Sequence, residues 1–170
     1  MNEEAFERVV QMYKDRVHSY ANLMLRNPAE AQDVAQEALV RLWENRARVE
    51  HQGTRLWLMR TAYNLCIDRI RKRKVRSEVD DGDVVVDSRA DHAPGPHQLT
   101  ASDETGRVIK DALGALSAQD RAVVVMREVQ GLPYGEIAEA LGMPLGTLKA
   151  RLHRARERLR TRLTRVGVTP

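Results

Sequence analysis

Apolar residues at Phe6, Val9, Val10, Tyr13, Val17 and Tyr20 recur three and four positions apart, the spacing that lines one face of an α-helix. Asn27-Pro28 then supplies a capping side chain followed by proline at the first helical position, so a second helix opens there and runs to about Glu44. At about 100° per residue, Ala31, Val34, Ala35, Ala38 and Leu42 form its buried side. Asp33, Gln36, Glu37, Val40 and Glu44 share the opposite side. A third helix, from about Arg55, turns Leu58, Ala62, Leu65 and Cys66 to the core and Trp57, Arg60, Thr61, Asn64, Asp68 and Arg71 outward. Near the C-terminus a short apolar face of Ile137, Ala138 and Leu141 is broken by Gly142 and Pro144. Leu145, Leu148, Leu152, Ala155 and Leu159 then resume the helical spacing. Val84 to Val86 is β-prone, but three residues do not make a sheet. The predicted fold class is all-α.

Charge divides this helical chain in two. The net charge is +4, yet the stretch from Ser77 to Glu104 holds eight acidic residues against the single basic Arg89, leaving the remainder at +11. That stretch also contains Pro94, Gly95 and Pro96 and lacks helical periodicity, so it reads as a flexible acidic linker. The expected organisation is two small helical domains, 1–77 and 104–170, joined by a linker over 78–103. Lobes near 70 residues bury modest cores, and each should be only marginally stable alone. No apolar run is long enough to span a bilayer, and the N-terminus carries acids where a signal peptide needs cations. The expectation is a cytoplasmic protein without membrane insertion.

The helix after Gly142 carries the sharpest chemical signal. Opposite its apolar stripe lie Gly146, Ala150, His153, Arg154 and Glu157, flanked by Lys149, Arg151, Arg156 and Arg158, with Thr147 near the start. Short outward residues let a helix backbone approach a DNA groove, Arg and Lys reach guanine edges, and flanking cations hold phosphates. With the preceding short helix and the Gly142 turn this reads as a helix-turn-helix whose second helix recognises DNA. The competing reading is a solvated basic surface helix. On the third helix Trp57 and Asn64 precede RIRKRKVR, where Arg69, Arg71, Lys72, Arg73, Lys74 and Arg76 crowd eight positions. An aromatic and an amide beside such a run suit unpaired bases, by stacking and by hydrogen bonding to an exposed edge. A half-buried core Trp57 and an ordinary surface Asn64 would look the same. Val40 among acids on the second helix suits a protein-docking surface as well as a solvated face.

Catalytic and cofactor chemistry is not written into the chain. Five histidines show no metal-ligand spacing, no phosphate-binding glycine loop occurs, and the lone Cys66 permits no internal disulfide. Neither metal nor cofactor is expected. Glu136 and Glu139 read as ordinary surface carboxylates, and His92 and His97 as solvated linker residues.

Three segments in order, AEAQDVAQEALVRLW, LWLMRTAYNLCIDRIRKRK and GLPYGEIAEALGMPLGTLKARLHRARERL, together resemble the extracytoplasmic-function (group 4) class of bacterial sigma-70-type RNA polymerase sigma factors. The resemblance implies a two-lobed helical protein that binds core RNA polymerase, recognises promoter DNA at duplex −35 and melted −10 elements, and starts its opening. Asp33, Gln36, Glu37 and Val40 would then dock on the polymerase clamp helices. Trp57, Arg60, Asn64, Arg71 and Arg73 would serve the −10 element, with the loop from Asn45 to Thr54 setting base specificity. Thr147, Lys149, Ala150, Arg151, His153, Arg154 and Arg158 would serve the −35 element. Ala150 and His153 depart from the residues commoner in the family. The resemblance also implies an anti-sigma factor among the partners. The alternative is a stand-alone helix-turn-helix transcriptional regulator that binds an operator as a dimer.

Overall fold

The computed structural model describes residues 1–79 and 101–168, and all regular structure among them is helical. The first lobe comprises α1 (Glu3–Leu25), α2 (Pro28–Glu44) and α3 (Thr54–Val79), with a 3-10 turn at His51–Gly53 before α3. The second comprises α4 (Ala101–Gly114), α5 (Ala118–Val124), α6 (Tyr134–Leu141) and α7 (Leu145–Arg165). No helix among the described residues is long and apolar enough to cross a membrane.

Local chemistry explains the helix ends. Asn2 and Asn27 each accept a hydrogen bond from the backbone N–H three residues on, at 2.9 and 3.1 Å, opening α1 and α2, and Pro28 follows the second cap as expected. Ser117 opens α5 in the same way through the Asp120 N–H at 3.2 Å. Helix α5 passes into one π turn, Val125–Val129, in which Gln130 N–H reaches the Val125 carbonyl at 3.0 Å. Gly142 ends α6 at φ 63°, a left-handed conformation that glycine adopts without Cβ strain. Pro144 then precedes α7, completing the helix-turn-helix.

Two helix ends fall inside the span read as linker. Helix α3 continues to Val79, and α4 begins at Ala101, so both ends of the expected linker are helical. Asp103 and Glu104 lie in the first turn of α4, where negative charge suits the positive end of the helix dipole. Counting them as linker charge hid that role. The β-prone Val84 to Val86, the histidines His92 and His97 and the centre of the acidic linker lie outside the described residues.

The predicted stripes of α2 and α3 are buried, Ala31, Val34, Ala35, Ala38 and Leu42 in one and Leu58, Ala62, Leu65 and Cys66 in the other, and in α3 the buried face is wider than the stripe, taking in Met59 and Tyr63. The two lobes do not keep separate cores. Helix α3 packs against α6 and α5, and α1 packs against α4, α5 and the π turn. One apolar cluster therefore runs through both lobes, from Val9 and Tyr20 to Leu148 and Ala155. Arg121 ties this junction together: its Nε donates to the Leu113 carbonyl at 3.0 Å, and Nη2 donates to those of Gly114 and Leu116 at 3.2 Å each. Its Nη1 crosses to the Met24 carbonyl at the end of α1. The Met24, Leu113 and Gly114 carbonyls belong to the last turns of α1 and α4, where intrahelical donors run out, and Leu116 lies in the turn before α5. Arg26 pairs with Asp111, and Gln130 Nε2 donates to the Arg16 carbonyl at 3.3 Å.

Cys66 lies in this shared interior. Burial raises its thiol to about 12, partly offset by Arg69 and Arg121, and burial likewise pushes the Tyr20 phenol well above its usual value. A raised acid pKa means that the folded state holds a proton which the unfolded chain releases. The stabilisation is complete below the unfolded thiol value near 9 and is lost as pH rises toward 12. We expect Cys66 to resist a thiol reagent at neutral pH in native protein and to react in denaturant. Between about pH 9 and 12 stability should fall with a proton stoichiometry that Cys66→Ala reduces by about one, measured by urea unfolding across pH. Rapid native-state labelling at pH 7 would contradict this.

Candidate nucleic-acid and polymerase interfaces

Helix α7 is held against α4, α5 and α6 by Leu148, Leu152 and Ala155, which are buried, with Leu159 partly covered. That packing fixes its rotation. Gly146, Thr147, Lys149, Ala150, His153, Arg154 and Glu157 consequently face outward and are exposed. Leu145 was expected on the buried stripe but is 44% exposed, because it is the first residue of the helix, at the end of the stripe. Helical side chains lean toward the N-terminus, so this one leans past the end of its own helix.

The flanking arginines are not free. Asp120, only 7% exposed, accepts from Arg151 Nη1 at 2.8 Å through one oxygen and from Arg158 Nη1 at 3.2 Å through the other. Arg156 Nε donates to Glu128 at 2.7 Å, a bond that raises the guanidinium pKa further, and Arg160 pairs with Glu157 at 3.1 Å. Lys149 and Arg154 make no ion pair among the described residues. The outward face thus keeps its own cations while two neighbouring carboxylates hold three of the flanking ones.

Asp33, Gln36, Glu37 and Val40 lie three, four and seven residues apart and share one face of α2. Asp33 and Gln36 are exposed, Val40 is 50% exposed, and Glu37 pairs with Arg41 at 2.5 Å. Arg69 of α3 approaches Asp33 at 4.0 Å. On α3, Arg60, Asn64 and Arg71 are exposed, whereas Trp57 is half-buried and packs on the apolar cluster. Arg73 is tied inward: it donates to the Leu25 carbonyl at 3.1 Å and pairs with Glu30, and partial burial lowers its pKa. Of the cations placed at this surface by sequence, Arg60 and Arg71 face solvent and Arg73 holds the end of α1. The preceding loop is braced by Arg46, which stacks 3.8 Å over Trp43 and accepts the N-terminal amine on its carbonyl at 3.2 Å.

Glu136, read from sequence as an ordinary surface carboxylate, takes Arg55 of the other lobe at 2.9 Å. Asp120 and Arg121 were missed altogether. A capped helix start at Ser117 followed by adjacent acid and base was the available signal, but their partners lie up to 97 residues away in sequence.

Two family models match the chain, Sigma-70 region 2 over residues 9–76 and Sigma-70 region 4 over residues 106–159. The ECF RNA polymerase sigma factor SigW of Bacillus subtilis is 34% identical, the match covering 95% of this chain and 90% of that protein. The ECF sigma factor SigE of Mycolicibacterium smegmatis is 32% identical over 95% of this chain, which spans 62% of that longer protein. Among solved structures, the sigma factor RpoE in complex with the anti-sigma factor NepR, from Bartonella quintana, superposes with a TM-score of 0.76 at 27% identity, covering 94% of this chain and 96% of its own. CnrH, solved with the cytosolic domain of CnrY, shares the fold with a TM-score of 0.70 at 24% identity, over 98% of this chain and 92% of its own.

The chain therefore belongs to the ECF class of sigma-70 family factors, and it is an RNA polymerase sigma factor that acts in transcription initiation. Matches to both lobes favour this over a stand-alone helix-turn-helix regulator, which would account for the second lobe only.

Proposed function

We propose that residues 1–77 dock on core RNA polymerase and handle the −10 element, that residues 104–170 read the −35 element, and that 78–103 connect them. The rotation of α7 carries this reading: it presents small residues, His153 and two cations without an ion pair among the described residues to solvent and buries Leu148, Leu152 and Ala155. Arg154 and Lys149 would contact base edges, and Ala150 and Gly146 would admit the groove wall. Thr147 at the helix start would hold phosphate, and Arg151 and Arg158 at the flank, each paired with Asp120, would add a weaker phosphate contact.

On α2, Asp33, Gln36, Glu37 and Val40 combine acceptors with an exposed apolar side chain, a composition suited to a basic, partly apolar partner surface on the polymerase. On α3, Arg60, Asn64 and Arg71 would follow the backbone and edges of unpaired −10 bases, with the accessible part of Trp57 as a stacking surface. The protein would act by binding alone, in the cytoplasm, with RNA synthesis left to the core enzyme. An anti-sigma factor as a further partner is supported by the relative RpoE, solved in complex with NepR.

The docking face can be tested without disturbing the core. Val40→Glu alters a side chain that is half exposed, and Asp33→Lys reverses an exposed charge. Each should weaken core-polymerase affinity about tenfold, the effect expected near the lower end of interfacial charge couplings, with circular dichroism unchanged. Undiminished affinity in both variants would reject the assignment.

The melting surface predicts a different signature, because unpaired bases become available only after strand separation. Asn64→Ala should slow open-complex formation on duplex promoter and have a smaller effect on a template carrying a pre-melted −10 bubble, read by permanganate reactivity. Equal losses on both templates would place Asn64 outside base capture.

A further inference from the structure

Asp120 is the one buried carboxylate among the described residues. It sits in the first turn of α5, fixed by the bond from its own N–H to Ser117 Oγ at 3.2 Å. Its two oxygens each take one arginine from α7, at 2.8 Å for Arg151 and 3.2 Å for Arg158. These arginines are seven residues apart, two turns along the same flank. Arg154, between them in sequence, lies closer to the outward centre and makes no ion pair among the described residues.

A guanidinium already hydrogen-bonded to a carboxylate gains less by meeting a phosphate than a free one does. Phosphate contacts carry affinity without sequence information, whereas base-edge contacts carry discrimination. An acid that occupies the flanking arginines therefore trades general DNA affinity for selectivity. We propose that Asp120 is a specificity-determining positioning residue, which holds Arg151 and Arg158 back from full phosphate engagement so that −35 discrimination rests on the outward Arg154, Lys149 and His153. This rests on the assignment of α7 as the −35 reader.

Holoenzyme assembled with full-length protein distinguishes the possibilities, using duplex DNA with an intact or a scrambled −35 element across a salt series. Asp120→Asn keeps the side-chain shape and frees both arginines. Binding to scrambled DNA should tighten more than binding to the intact promoter, narrowing their ratio by about threefold to tenfold. The slope of log affinity against log salt should steepen by roughly one to two charges, at about 0.9 per added phosphate contact. Asp120→Glu should restore part of the selectivity. In the Asp120→Asn background, Arg151→Ala with Arg158→Ala should return the salt slope to the original value or below.

A purely structural role would lower stability and leave the salt slope and the intact-to-scrambled ratio in place, and that result would overturn the proposal. If Asp120→Asn folds poorly, Arg151→Ala with Arg158→Ala supplies the second measurement. Removing the restrained arginines should lower the salt slope by less than about one charge and leave the intact-to-scrambled ratio in place, and a loss of about two charges would also overturn it. Arg154→Ala separates the two levels. An unchanged −35 base preference in that variant would remove the α7 assignment and the proposal with it, whereas an altered preference beside an inert Asp120→Asn would remove the role of Asp120 alone.

Discussion

A single guanidinium, that of Arg121, bonds the carbonyls of Leu113 and Gly114 at the end of α4, of Leu116 in the turn that follows and of Met24 at the end of α1. The rest of the arrangement depends on it, because the carbonyls of Met24, Gly114 and Leu116 take no backbone donor among the described residues, and each unmade buried bond costs about 1–3 kcal/mol. Burial and the neighbouring Arg26 push its pKa down, which expresses the cost of placing the charge there. The peripheral pair Arg55–Glu136 is about one-third exposed on both sides, where such a bridge contributes roughly 0–1 kcal/mol. It joins α3 to α6 beside the apolar cluster that the two helices share.

The helices themselves were legible because each has local causes. Asn27-Pro28 marks a start, Gly142 a stop, and the spacing of Leu148, Leu152 and Ala155 sets the rotation from which the exposed face follows. The acidic face of α2 was readable for the same reason. What could not be read was which cations are already spoken for. Arg73, Arg151 and Arg158 look like equivalent free charges in the sequence, but Glu30 and Asp120, which hold them, are neighbours only after folding. Composition likewise suggested two lobes and could not show that they share an interior, since the apolar residues that meet there also complete the stripe of each helix.

Electrostatics on the two lobes follow one pattern. Arginines that lie near a helix end or flank are anchored by a carboxylate or a carbonyl, as Arg73, Arg121, Arg151 and Arg156 are. Those at the centre of an exposed face, Arg60 and Arg154, are in no ion pair among the described residues. Anchoring lowers the conformational entropy of long side chains around each surface while the central ones remain available for a partner.

The shared apolar cluster also gives the junction a thermal character. Parting α3 from α6, or α1 from α5, would expose apolar surface to water and so carry a positive heat-capacity change. The free energy that holds the lobes together is therefore curved in temperature and weakens on cooling, whereas an interface built from surface charges alone would respond chiefly to salt.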